Sequence, residues 1–196
     1  EHRTGRMELN QFVESAGGSL IQSRATDPKI MERVAFEDDV RTFRISTNTL
    51  GNGYVEAISN ATLLSIRDAQ PASMRGTAIM VGVLEGDGTP RLGRFGWKNQ
   101  HASLESFAAD AYLNEMGITS ALLPEENTSA GRNVGYGTGF DTVPDPEDDG
   151  ADIVAFANFM GATKAPPRGP VTADVLAGEK LFAPNWQIRF ALTMIA

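Results

Sequence analysis

Residues 124–149 run without helical or strand periodicity, past Gly131, Gly135, Gly137 and Gly139 and past Pro144 and Pro146. A stretch that long with no regular element of its own is either functional or disordered. It therefore frames the reading: the regular elements must be sought on either side of it, and the segment itself needs an explanation other than local periodicity.

The elements that flank it are the clearest in the chain. In "SLESFAADAYLNEMG", Ser103 is placed to cap a helix whose Leu104, Phe107, Ala108 and Ala111 share one face. Gly117 ends it, with Ile118 placed to cover the exposed carbonyls. Beyond the loop, residues 151–163 read as a second helix with Ile153, Phe156, Ala157 and Met160 on one side. Asp148, Asp149 and Asp152 crowd its positive end, and Pro166-Pro167 stops it. Thr172 caps a third helix ending near Phe182.

Upstream, the signals are shorter. Gly17-Gly18 marks a turn, and Asp27 with Pro28 starts a helix reaching Val34. "VRTFRIST" alternates as a short strand, and Asn60 caps a helix that Pro71 closes. Two apolar runs around residues 85–90 read as a β-hairpin. The expected fold class is mainly α with one β-hairpin and long irregular connections, without internal repeats.

Charge and ligand inventory narrow the function. Residues 1–98 carry 12 basic and 12 acidic side chains, whereas residues 99–196 carry 5 and 13, so 5 − 13 gives the whole net charge of −8. Such a half repels a phosphate backbone, so no nucleic-acid partner is expected; it suits a cationic protein such as a basic electron carrier. No run of apolar residues is long enough to span a membrane, and no signal peptide opens the sequence. There is no cysteine, which excludes disulfides, thiolate metal sites and thioether attachment of haem to this chain. Imidazole comes only from His2, at what reads as a frayed terminus, and His101.

Two stretches carry candidate chemistry. "DPEDDG" places Asp145, Glu147 and Asp149 as the first half of an EF-hand loop would, but Phe156 stands where the bidentate glutamate belongs. A calcium site of another kind through Asp145, Glu147 and Asp149 competes with an acidic helix cap. In "RLGRFGWKNQHASL", Arg94, Trp97, Lys98 and His101 lie between the hairpin and a helix start. They could line a cofactor pocket, with aromatics for a flat ring, cations for carboxylates and an imidazole as an axial ligand. The alternative is a buried Phe95/Trp97 pair anchoring the hairpin. Trp97 and His101 are expected to face one pocket.

"LGRFGWKNQHASLESFAADAYLNEMGIT" resembles the di-haem oxidoreductase family, also called di-haem cytochrome c peroxidase-like and formerly thiol oxidoreductases. So do "GGSLIQSRAT", "VRTFRISTNTLGNGYVEAI", "PEENTSAGRN", "FDTVPDPEDDGADIVAFANFM" and "KAPPRGP", in that family's order. The resemblance implies an exported, periplasmic bacterial protein with a cytochrome c-like fold, haem c on two C-x-x-C-H motifs and an electron-transfer partner protein. It divides the chain into an inter-haem region, 1–171, a helix leading to the second haem motif, 172–183, and an unrelated tail, 184–196. Neither motif is present. The chain is thus expected to be a fragment, an incomplete domain inactive as it stands. Alternatives are a cofactor-free binding or structural module and a calcium-binding domain. By the same resemblance, Arg94, Trp97, Lys98 and His101 would lie near a haem, with His101 a candidate iron ligand.

Overall fold

A computed structural model describes residues 2–86 and 88–182, with Phe182 described in its backbone only. The chain divides into two compact units. One combines the described residues up to Thr47 with Ala108–Ala155; the other combines Asn48–Phe107 with the described residues from Phe156 on.

The first unit is built on a sheet that the sequence does not announce. Strand β1 (His2–Glu8) pairs antiparallel with β2 (Gln11–Val13), β3 (Leu20–Ile21) and β4 (Val40–Phe43). β1 is therefore the central strand, and the expectation of a frayed N-terminus is corrected: His2 pairs with Ile21 and Phe43 and stacks on the Phe43 ring at 4.5 Å. Leu9 and Asn10, both at positive φ, make the tight β1–β2 connection. Gly5 admits no side chain, because a Cβ there would overlap the Phe12 ring. The expected helix after Asp27 shrinks to a single 3₁₀ turn, Pro28–Ile30, with the Asp27 side chain accepting from Lys29 N at 2.8 Å.

Asp38, two residues ahead of β4, is buried and accepts a hydrogen bond from the Ser15 hydroxyl at 2.5 Å. That bond holds its carboxyl below the usual range, burial opposes the effect, and Arg6 and Arg41 add to it. A depressed carboxyl stabilises the fold above the unfolded pKa, about 3.9 for aspartate, and loses that contribution as pH falls through the folded value. Ser15→Ala should therefore cost about 1.5–3 kcal/mol at pH 7, the range for a hydrogen bond to a charged group. The penalty should begin to shrink as pH falls below the unfolded value and should be lost as it passes the lower folded value, a trend that denaturant unfolding over a pH series from 7 down to about 2.5 measures.

The second unit holds α1 (Asn52–Ala57), α2 (Asn60–Asp68) and a two-stranded ribbon of β5 (Met80–Val81) and β6 (Arg91–Leu92). This is the expected hairpin, with very short strands; Asp87 in its loop lies outside the described residues. The cap of α2 is Ser59, accepting from Thr62 N at 3.1 Å, rather than Asn60. α3 (Leu104–Ala111) passes into a π-helical turn, Tyr112–Met116, which ends at Gly117 in the left-handed region. Gly117 N bonds to Leu113 O and Ile118 N to Tyr112 O, the expected closure.

α4 (Ala151–Ala162) and α5 (Ala173–Phe182) lie where the periodicity put them, and Thr172 Oγ1 accepts from Val175 N at 3.3 Å. The predicted apolar face of α4 is only partly used: Ile153 is buried and Ala157 and Met160 are half-buried, whereas Phe156 is exposed. With five α-helices and two small antiparallel sheets among the described residues, the architecture is mixed α/β. That corrects the mainly α, cytochrome c-like expectation. The physical reason is the N-terminal segment, whose strands are short, charged and interrupted by Gly5, and so show no period of two. The tail, 184–196, lies outside the described residues.

Candidate functional site

Two clusters carry the candidate chemistry, one in each unit. The first is the turn that follows β6. Gly93 N closes the ribbon on Ile79 O at 2.8 Å. Arg94 N and Phe95 N both donate to His101 O, at 2.9 and 3.0 Å, and His101 N returns to Phe95 O at 3.3 Å. Between these ends, Gly96 and Asn99 take positive φ and reverse the chain. The sequence alternatives thus divide at residue level. Phe95 is buried and its ring lies 6.1 Å from Phe107, while Trp97 is 50% exposed, so there is no buried Phe95/Trp97 pair. His101 is half-buried, 5.9 Å from the same Phe107 ring. Lys98 is exposed, and its backbone N–H donates to Gln100 Oε1.

Arg94 does something the sequence did not suggest. Its Nη1 donates to the carbonyls of Val55, Glu56 and Ile58 at 3.3, 3.1 and 2.6 Å. Nη2 donates to Asn60 Oδ1 at 2.5 Å and Nε to Leu92 O at 3.2 Å. One guanidinium therefore satisfies the carbonyl end of α1 and ties it to the start of α2 and to the ribbon. Burial lowers its pKa, with the Glu56 charge opposing.

Next to it, Ser103 caps α3 as expected, accepting from Ser106 N at 3.1 Å. Glu56 accepts from Leu104 N at 2.7 Å, and Ser106 Oγ donates to Glu85 at 2.6 Å. Glu56 thereby caps the start of α3, while the Arg94 guanidinium is engaged by the α1 carbonyls, Asn60 and Leu92 O.

The second cluster lies in the long irregular segment of the first unit, which is ordered by hydrogen bonds instead of by a regular element. Thr119, fully buried, is its anchor. Its hydroxyl donates to Asp145 Oδ1 at 2.5 Å and accepts from Glu147 N at 3.1 Å; its N–H donates to Glu147 Oε2 at 3.2 Å. Asp148 N bonds to Thr119 O, and Ala121 N to Asp148 O.

The three carboxylates singled out in "DPEDDG" are not brought together. Asp149 Oδ1 accepts from Ala151 N at 3.0 Å, capping α4 alongside Asp148, and Glu147 is held by Thr119. Asp145 instead meets Glu126 and Asp141, with one oxygen from each within 4.8 Å of the others. Burial, and then the charges of Asp145, Glu147 and Asp141, raise Glu126 to about 7. The only sequence signal for this trio is charge imbalance: over residues 121–149, seven carboxylates accompany one basic residue, Arg132.

A family model described as "Di-haem oxidoreductase, putative peroxidase" matches residues 6–185. No curated protein and no solved structure matches the chain.

Proposed function

The chain belongs to this di-haem oxidoreductase family, and on that premise we propose that its residues form the framework of a c-type electron-transfer protein without themselves holding haem. What carries the reading is one combination: a family match over most of the chain and a sequence with no cysteine. In such proteins the haem iron supplies one-electron redox and peroxide chemistry. Thioether attachment needs cysteine thiols, and the histidine of each C-x-x-C-H motif supplies the iron's proximal imidazole. Here His2 is stacked in the central strand and His101 is tied into a tight turn. These residues do not fit a covalently attached haem, and no redox step is assigned to them.

In this reading the haem-holding residues belong to other polypeptide, and the chain positions it. Trp97 and Lys98, on the exposed side of the turn, offer a flat ring and a cation to that neighbour. Arg94 and His101 shape the turn from within. The acidic half of the sequence would face a basic electron carrier in an exported compartment.

The test is peroxide turnover with a one-electron donor dye, on the chain exported from cells that mature c-type cytochromes. The chain alone should show none. A hybrid carrying the two C-x-x-C-H segments of an intact relative should show activity. Turnover by the chain alone would overturn the proposal.

A further inference from the structure

We propose that the β1–β2 hairpin of the first unit is a docking surface for a basic protein, whose apolar hollow, ringed by lysine or arginine, receives the Leu9 tip. The partner's nature, a basic electron carrier, rests on the framework reading; the surface that meets it goes beyond that reading.

What points to a partner is the tip itself. Strands β1 and β2 are joined by two residues, Leu9 and Asn10, both at positive φ. A turn of this kind favours Asn, Asp or Gly at both places, because other side chains crowd the backbone there. Asn10 meets that demand and Leu9 does not. Leu9 is also fully exposed. It is therefore unfavourable twice, in its backbone and in its solvation, and its side chain gains no burial from the fold. Departures from local rules of this sort gather where a protein meets a partner, and covering the side chain offsets the cost in solvation.

The tip is continued by an apolar face. Met7 and Phe12 stand opposite each other across the ribbon, each 48% exposed. Directly opposed residues share a face, and the Phe12 ring lies over Gly5, where a Cβ would overlap it. A glycine in the central strand thus leaves room for an aromatic ring that is only half covered.

The surroundings are acidic. Over residues 6–14 and 36–41, five carboxylates accompany two arginines. Both arginines are engaged: Arg6 pairs with Glu8 at 2.5 Å, and Arg41 Nε donates to Asp38 O at 3.2 Å. Met7 N donates to Asp39 Oδ1 at 3.0 Å, which fixes Asp39 beside the ribbon. Glu14, Glu37 and Asp39 are exposed. The wider charge has the same sign. Residues 1–47 and 108–155 carry 8 basic and 18 acidic side chains, and 8 − 18 gives −10; the rest of the chain carries 9 and 7, which gives +2. The excess negative charge of the protein therefore belongs to the unit that bears the hairpin. That field draws a cationic partner and repels an anionic membrane surface, while the apolar tip supplies the contact that charge alone cannot.

The test is calorimetric titration of the whole chain with a basic monohaem cytochrome c, at about 20 mM and about 200 mM salt. The same cytochrome with its lysines acetylated serves as the uncharged probe. Binding is expected at low salt, weaker binding at high salt, and none to the acetylated protein. Leu9→Gly should weaken binding about tenfold or more, the loss of one buried anchor. It should not lower Tm, because glycine suits the positive φ, so a folding defect cannot account for the loss. Glu14→Lys should weaken binding and reduce its salt dependence. Val143→Ser removes an exposed apolar side chain of the same unit outside the hairpin, and should leave binding unchanged.

No binding by the wild type would overturn the proposal, and so would a Leu9→Gly chain that binds as the wild type does. Attachment to vesicles of phosphatidylcholine and phosphatidylserine that is lost in Leu9→Gly would assign the tip to a membrane instead. Haem staining of the same preparation separates the two readings. A stained chain that still binds through Leu9 fails the framework alone, and an unstained chain that does not bind fails the docking surface alone.

Discussion

Arg94→Ala should cost about 3 kcal/mol or more, because it strips several charge-assisted bonds and orphans the carbonyls that receive them. Val55, Glu56 and Ile58 lose their shared donor at once, and Asn60 Oδ1 loses its own. At about 2–4 °C per kcal/mol for a chain of this size, Tm should fall by about 10 °C. Arg94→Lys should recover only part of the loss, since a single ammonium cannot span the α1 carbonyls, the α2 start and Leu92 O together. Thermal unfolding by circular dichroism distinguishes these outcomes. A Tm within a degree of wild type for Arg94→Ala would show that the guanidinium is not what joins α1, α2 and the ribbon.

Gly53→Ala should destabilise by about 2–3 kcal/mol, the upper part of the overpacking range. A Cβ at Gly53 would overlap the Gly161 carbonyl, where α1 meets the C-terminal turn of α4 within the second unit. The neighbouring backbone leaves no room to yield: Gly51 N bonds to Thr163 O at 3.1 Å, and a Cβ at Gly51 would press on Ala165. Gly178→Ala supplies the control. It lies inside α5 with nothing near the added methyl among the described residues, and should stabilise by about 0.5–1 kcal/mol through helix propensity. Denaturant midpoints for the two variants should therefore move in opposite directions; movement in the same direction would contradict the close α1–α4 packing.

The helices were legible because their ends are written in local chemistry. Ser103, Gly117 with Ile118, and Thr172 each act within a few residues of their own position, so sequence spacing was enough. The hairpin was legible for the same reason. The N-terminal sheet was not. Its central strand pairs with segments up to about forty positions away, and its buried positions are Thr4 and Gly5 instead of large apolar residues.

At the candidate sites the same distinction holds. The stretch around Arg94 was recognisable as a cluster, but the carbonyls that occupy Arg94 lie more than thirty residues upstream. In the acidic loop Asp145 lies beside Glu126 and Asp141, which approach it only through the folding of the loop onto Thr119. Glu147 and Asp149 looked like ligands by spacing, and their oxygens accept backbone N–H groups.

The central claim is that the chain is a family framework that does not itself hold haem. It is tested most directly by haem staining after denaturing electrophoresis, on chain exported from cells that mature c-type cytochromes. No stain should survive at the 21.0 kDa band, while an intact relative run alongside keeps its haem. A band that stains at that position would mean that this chain anchors haem through chemistry other than cysteine, and would contradict the account.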